Sequence, residues 1–149
     1  MLHKVRIMRL HPEDIGPKQL HELNVLLQDF SEKSKPMTME YLSAIAGNDY
    51  MFVARNKGKI VGMTTLIVFR KPTGYVGQIE DVTLAEEYRG KGGGFGMMER
   101  VLSTGRSLKL DKLQLTSNPN NPKRTQARKL YESLGFVEYE TGNFRLSLP

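Results

Sequence analysis

Between Glu86 and Gly96 the chain reads EEYRGKGGGFG, with glycine at five of its last seven positions and Arg89 and Lys91 among them. Glycine weakens the interior of a helix or strand, so a run this dense reads as a turn and the opening of an element. On its N-terminal side YVGQIEDVTL, with Val76, Ile79, Val82 and Thr83 β-branched, reads as a strand through Leu84. On its C-terminal side FGMMERVLSTGRSL puts Phe95, Met98, Val101 and Leu102 on one helical face. Strand, glycine turn and helix in direct succession leave several unobstructed backbone N–H groups at the positive end of a helix dipole. Such a nest suits phosphate. Arg89 and Lys91 add full charges at its rim. The other reading of the same stretch is a flexible turn with no ligand.

Two familiar phosphate loops do not fit. A Walker loop needs Ser or Thr after its Gly-Lys pair, whereas Gly90-Lys91 is followed by Gly92, and Ala85 stands where the first glycine belongs. The dinucleotide fingerprint G-x-G-x-x-G fails because its last position falls on Phe95 or on Met97, depending on the starting glycine.

The rest of the chain supplies a sheet. Residues 4–10 read as a first strand. Pro17 opens a helix with Leu20, Leu23, Leu26 and Leu27 at helical spacing, and Thr38 caps a second one over MEYLSAIAG. YMFVARN and KIVGMTTLIVFR flank the tight turn Lys57-Gly58, a hairpin signal. KLQLTS, at 112–117, reads as a short strand, RTQARKLYESLG as a helix stopped by Gly135, and FVEYE with NFRLSL as a closing hairpin. The expected order is β-α-α-β-β-β-α-β-α-β-β, an α/β (α+β) fold with one mixed, mostly antiparallel sheet flanked by helices. With 149 residues, no linker and no repeat, one domain over 1–149 is expected.

Charge and composition narrow the function. From Arg89 to Leu130 ten Lys or Arg stand against two acids, a local excess of eight positive charges, while the remainder has twelve bases and fourteen acids. A one-sided positive field suits an anionic ligand or a nucleic acid, or is a solvated face. Base-binding surfaces interleave aromatics with cations, and Phe95 is the only aromatic in that segment, so nucleic acid is a poor fit. No apolar run is long enough to span a bilayer and no signal-peptide pattern opens the chain, so a cytoplasmic protein off the membrane is expected. Cysteine is absent, which excludes thiolate metal sites and an acyl-Cys intermediate. His3, His11 and His21 show no metal-ligand spacing, and no metal is expected.

Arg89-Gly90-Lys91-Gly92-Gly93-Gly94 fits R/Q-x-x-G-x-G/A, and so resembles the pyrophosphate-binding motif of the GNAT superfamily of N-acetyltransferases. RTQARKLYESLGF resembles that family's A-x-x-L/F-Y-x-x-x-G-F signature, with Ala127, Leu130, Tyr131, Gly135 and Phe136 in place. The preceding strand and the element order agree, and the resemblance covers nearly the whole chain. It implies acetyl-CoA as co-substrate, held by the glycines Gly90, Gly92, Gly93 and Gly94 with Arg89 and Lys91. It also implies that the backbone of Val82, Thr83 and Leu84 binds pantetheine and the acetyl carbonyl.

The resemblance implies direct transfer of the acetyl group to an acceptor amine. An amine is mostly protonated in water and must lose a proton before attacking. The leaving thiolate departs better if an acid protonates it. Glu80 is the candidate base, on a strand where alternation puts Gln78, Glu80, Val82 and Leu84 on one face and Ile79, Asp81 and Thr83 on the other. Either Glu80 or Asp81 could point into the site. Tyr131 is the candidate acid, its alternative being an aromatic packing residue between Leu130 and Leu134. Many relatives have an Asn where this chain has Arg124; Asn121 lies three residues earlier, and either could contact coenzyme A.

By the same resemblance residues 17–48 and 138–143 build the acceptor side. They carry Glu22, Asp29, Glu32, Glu40, Glu138 and Glu140, an acidic rim suited to a cationic amine. The alternatives are an acyl-CoA-sensing module and a nucleic-acid-binding one using residues 89–130. Homodimerisation is common among the family it resembles.

Overall fold

The computed structural model describes residues 4–149, so His3 lies outside the described residues. The chain divides into a larger unit that ends at Thr116 and a smaller one, Ser117–Pro149.

The larger unit is a five-stranded sheet in the order β1-β2-β3-β4-β5. Its strands are β1 (Arg6–Arg9), β2 (Tyr50–Asn56), β3 (Lys59–Lys71), β4 (Gly74–Leu84) and β5 (Lys112–Gln114). The first four pair antiparallel and β5 joins β4 in parallel, the mixed sheet that the sequence pattern implied. The helices are α1 (Pro17–Phe30), α2 (Met39–Asn48) and α3 (Gly93–Ser107).

Local chemistry sets these bounds. Pro17 takes the first position of α1, where its missing N–H is no loss, and Gln19 Oε1 accepts the Gly16 N–H at 2.9 Å. Thr38 Oγ1 accepts from the Tyr41 N–H at 3.1 Å and starts α2, as its residue type predicts. Lys57 and Gly58 both adopt positive φ, the two-residue turn whose twist matches a hairpin.

The sheet has an apolar layer on each side. Leu23 and Leu26 of α1 and Leu42 of α2 pack with Met51, Val53, Ile60 and Met63. On the opposite side Met97 of α3 packs with Ala54, Val61 and Leu84. Each fully buried Leu, Val, Ile or Met contributes about 1.5–3 kcal/mol. Phe95, expected on that inner face of α3, is instead half-exposed, while Met97, Met98 and Val101 are buried. The buried stripe of α3 runs through Gly93, Met97, Val101 and Gly105, at four-residue spacing, and Phe95 falls two residues off that line. Gly77 lets β5 close on β4, because a Cβ there would stand 2.6 Å from Leu113 Cδ2.

The smaller unit contains α4 (Thr125–Ser133) and an extended tail. The closing hairpin expected over FVEYE and NFRLSL does not form: no strand occurs from Val137 onward. A strand needs a neighbour for its backbone groups. The only backbone N–H among the described residues of this tail with a backbone acceptor is that of Thr141, bonded to Tyr139 O. The alternating apolar side chains Phe144, Leu146 and Leu148 are all highly exposed.

Candidate active site

Strand β4 is not regular. Thr65 stands opposite Glu80 and Met63 opposite Thr83, so one residue of β3 faces two of β4, and neither Asp81 nor Val82 has a partner. Asp81 makes the bulge by adopting φ 54°, a left-handed conformation that Asp tolerates better than most residues. The extra residue reverses the alternation beyond it. Thr65 and Met63 share a face, so Thr83 lies on the Glu80 side and Leu84 on the other, packed with Met97 of α3. This corrects the expectation that Val82 and Leu84 share the Glu80 face. Two backbone positions, Asp81 and Val82, are thereby withdrawn from the β3–β4 ladder.

Glu80 faces the side covered by α1 and α2. Gln78, on the same face, donates its side-chain N–H to Glu80 Oε1 at 3.0 Å and fixes the carboxylate. Thr64 Oγ1 donates to the Glu80 carbonyl at 3.2 Å, bracing the backbone beside the bulge. Asp81 is exposed at the bulge, and partial desolvation raises its carboxyl above the ordinary range. Gln78 was not singled out from sequence, although an amide two residues from an acid on a strand is a same-face pair.

Beyond Leu84 a single 3₁₀ turn, Glu86–Tyr88, leads into the glycines. Gly90 and Gly92 take φ 73° and 89°, and nothing within 4 Å would meet a Cβ at either. Gly92 is the N-cap of α3 and has no side-chain cap, so the first N–H groups of the helix keep their donor capacity. Arg89 Nε donates to Leu84 O at 2.8 Å and Lys91 Nζ to Glu87 O at 2.7 Å. Both cations therefore brace the loop as well as charging it. The residues fit a pyrophosphate: open donors, no capping side chain, no Cβ in the concavity and two fixed positive charges.

In the smaller unit, α4 ends in a Schellman motif. Gly135 adopts φ 94°, its N–H bonds to Glu132 O at 3.0 Å, and the Phe136 N–H bonds to Tyr131 O at 3.0 Å. The Phe136 ring meets Tyr131 edge-on, centroids 6.1 Å apart. The Gly-Phe of the signature is thus a helix stop that holds Tyr131 by its ring. Burial raises the Tyr131 pKa, and Arg124 partly offsets this. Asn121 Oδ1 accepts from the Lys123 N–H at 3.0 Å, capping a short 3₁₀ turn, while Arg124 is the N-cap residue of α4. Arg128 bonds Ser117 O at 3.1 Å and pairs with Glu138 at 2.7 Å.

The sequence-derived residues therefore fall in two groups. Glu80, Val82, Thr83, Leu84, Arg89, Gly90, Lys91, Gly92, Gly93 and Gly94 belong to the larger unit, and Asn121, Arg124 and Tyr131 to the smaller. Of the acids on the expected acceptor side, Asp29, Glu32, Glu40, Glu138 and Glu140 are exposed, but Glu22 is buried. His11 and His21 are exposed. No helix among the described residues is long and apolar enough to cross a membrane.

No curated protein sequence matches the chain significantly. Among solved structures, an acetyltransferase from Trypanosoma brucei is 27% identical, with a TM-score of 0.77 over 97% of this chain and 100% of that one. An aminoglycoside acetyltransferase from an uncultured soil metagenomic sample, in complex with sisomicin, is 20% identical, with a TM-score of 0.82 over 97% of both chains. The ribosomal-protein-alanine N-acetyltransferase of Brucella melitensis biovar Abortus 2308 is 22% identical, with a TM-score of 0.75 over 98% of this chain and 100% of that one. The model of the acetyltransferase (GNAT) family matches residues 18–136. With the glycine cradle, the bulged strand and the capped Tyr131 helix all inside that span, the chain belongs to the GNAT family of acetyltransferases.

Proposed function

We propose that the chain is an N-acetyltransferase that passes the acetyl group of acetyl-CoA to a primary amine of a small molecule or peptide. The observation that carries this reading is the uncapped glycine loop at the start of α3, with its positive-φ turn and tethered cations. In it Gly90, Gly92, Gly93 and Gly94 would hold the pyrophosphate, with Arg89 and Lys91 at the rim. Val82, Thr83 and Leu84 would line the pantetheine arm, and the bulge offers backbone N–H to polarise the acetyl carbonyl. Asn121 and Arg124 are candidates for a further coenzyme contact.

Acetyl-CoA supplies an activated thioester, whose C–S bond breaks as the amide C–N bond forms. Glu80, oriented by Gln78, accepts the proton that the acceptor ammonium must lose. Tyr131, whose raised pKa keeps its O–H protonated at neutral pH, donates a proton to the departing sulfur. The neighbours named for aminoglycosides and a ribosomal protein alanine act on amine-bearing acceptors, which supports an amine here.

The test is calorimetric titration of the purified chain with acetyl-CoA, repeated with Gly92→Val and Gly94→Val combined. Binding that the double change abolishes in a still-folded variant supports the reading. No binding by the folded wild type overturns it.

A further inference from the structure

Tallied along the sequence, everything outside residues 89–130 is slightly acidic. In three dimensions a second cationic group forms beside the glycine loop. Arg6 of β1 and Arg55 of β2 are direct cross-strand partners. Like charges so placed repel. Lys57 occupies the β2–β3 turn and Lys59 opens β3 opposite Asn56. Lys4 precedes Val5, whose Cγ2 stands 3.4 Å from where a Gly93 side chain would begin.

Two hydrogen bonds fix this cluster to the loop. Asn56 Nδ2 donates to the Tyr88 hydroxyl at 2.7 Å, one residue before Arg89. The Ala85 N–H, at the exit of β4, donates to Val61 O at 2.7 Å, two residues from Lys59. Lys4, Arg6, Lys57 and Lys59 are exposed, and Arg55 is half-buried with its Nε enclosed and unbonded. Among the described residues none of the five forms an ion pair; the exposed acids beside them on the loop are Glu86 and Glu87.

We propose that Lys4, Arg6, Arg55, Lys57 and Lys59 form an electrostatic capture surface for the phosphates of coenzyme A, concentrating the coenzyme next to the glycine loop before it docks. This rests on the acetyl-CoA reading above. Unpaired cations held in a rigid hairpin extend the field of Arg89 and Lys91 outward, and such fields accelerate association while leaving dissociation to the docked contacts. The Asn56–Tyr88 bond ties the end of β2 to the loop that leads through Arg89 to Gly92.

The test is stopped-flow binding of a fluorescent etheno derivative of acetyl-CoA, a suitable probe because the chain has no tryptophan. Wild type is compared with Lys57→Asn/Lys59→Gln and with a control, Arg70→Gln/Lys71→Gln. The control removes the same charge at the far end of β3, roughly 40 Å away at the strand rise of about 3.3 Å per residue. We expect the association rate of the first variant to fall about three- to tenfold at low salt, with dissociation unchanged, the control near wild type, and the difference gone near molar salt, where the Debye length shrinks to about 3 Å. An unchanged association rate, an equal fall in the control, or a faster dissociation would overturn the capture surface. Absence of binding by the folded wild type would instead overturn the coenzyme reading beneath it.

Discussion

The side-chain amide of Gln78 bonds Glu80 Oε1 at 3.0 Å, two residues away on the same face of β4. A base that must meet an incoming amine gains from being held in one rotamer, so the pair is expected to act together. Glu80→Gln should lower kcat by about a hundredfold, the usual scale for a general base, with acetyl-CoA affinity retained. Gln78→Leu should lower it by a smaller factor, on the order of threefold to tenfold, in line with the net worth of one ordinary side-chain hydrogen bond. Steady-state kinetics beside calorimetry checks both; an E80Q enzyme of full activity would leave Asp81 or water as the base.

Asp81 predicts a pH dependence of stability. Burial raises its carboxyl, so the folded chain holds that proton more tightly than the unfolded chain does. The stability this provides is complete below the ordinary carboxylate range and is lost as pH rises through the raised value. Asp81→Asn keeps a residue that accepts positive φ but cannot ionise. It should be the more stable protein at neutral pH, with the advantage vanishing on acidification. Urea melts at a series of pH values would reveal the convergence, and parallel curves would refute it.

Tyr131 and Arg124 make a paired prediction in the smaller unit. Tyr131→Phe should reduce kcat about tenfold to a hundredfold, while the ring contact with Phe136 preserves the fold. Arg124 lowers the Tyr131 pKa, so Arg124→Gln should carry the alkaline limb of the kcat profile to higher pH. A limb that stays in place would mean that another group supplies the proton.

Glu22 is 8% exposed and its Oε1 has no hydrogen-bond partner. An unsatisfied buried polar atom is destabilising by about 1–3 kcal/mol. Glu22→Leu, which extends the apolar stripe of Leu23 and Leu26, should therefore raise stability by roughly 1 kcal/mol, within that range. Chemical denaturation decides this, and a loss of similar size would show that the carboxylate has a role in the folded chain.

What the sequence disclosed was local. Thr38 at its cap, Pro17 at its helix start, the Lys57-Gly58 turn and the Leu20–Leu27 stripe each act within a few residues, and each stands where its residue type put it. The glycine loop was legible for the same reason. The bulge was harder, since a single Asp in a β-branched run is weak notice of a phase change, and the faces assigned to Val82 and Leu84 came out reversed. The last hairpin failed because alternation states which side chains share a face and not whether a neighbouring strand is present. The cations of β1, β2 and β3 were hidden altogether: they lie up to 55 positions apart, Lys4 to Lys59, and only strand register gathers them.

The bulge at Asp81 also makes β4 a strand with a reading frame. On one side of it even-numbered residues face the α1–α2 layer; on the other they enter the α3 layer. Deleting one residue there would leave Thr83 and Leu84 unchanged in identity and still exchange their surroundings, putting a hydroxyl into the apolar layer and a leucine beside the acid. For this chain the count of residues between Glu80 and the glycine loop is as much a part of the chemistry as their identity.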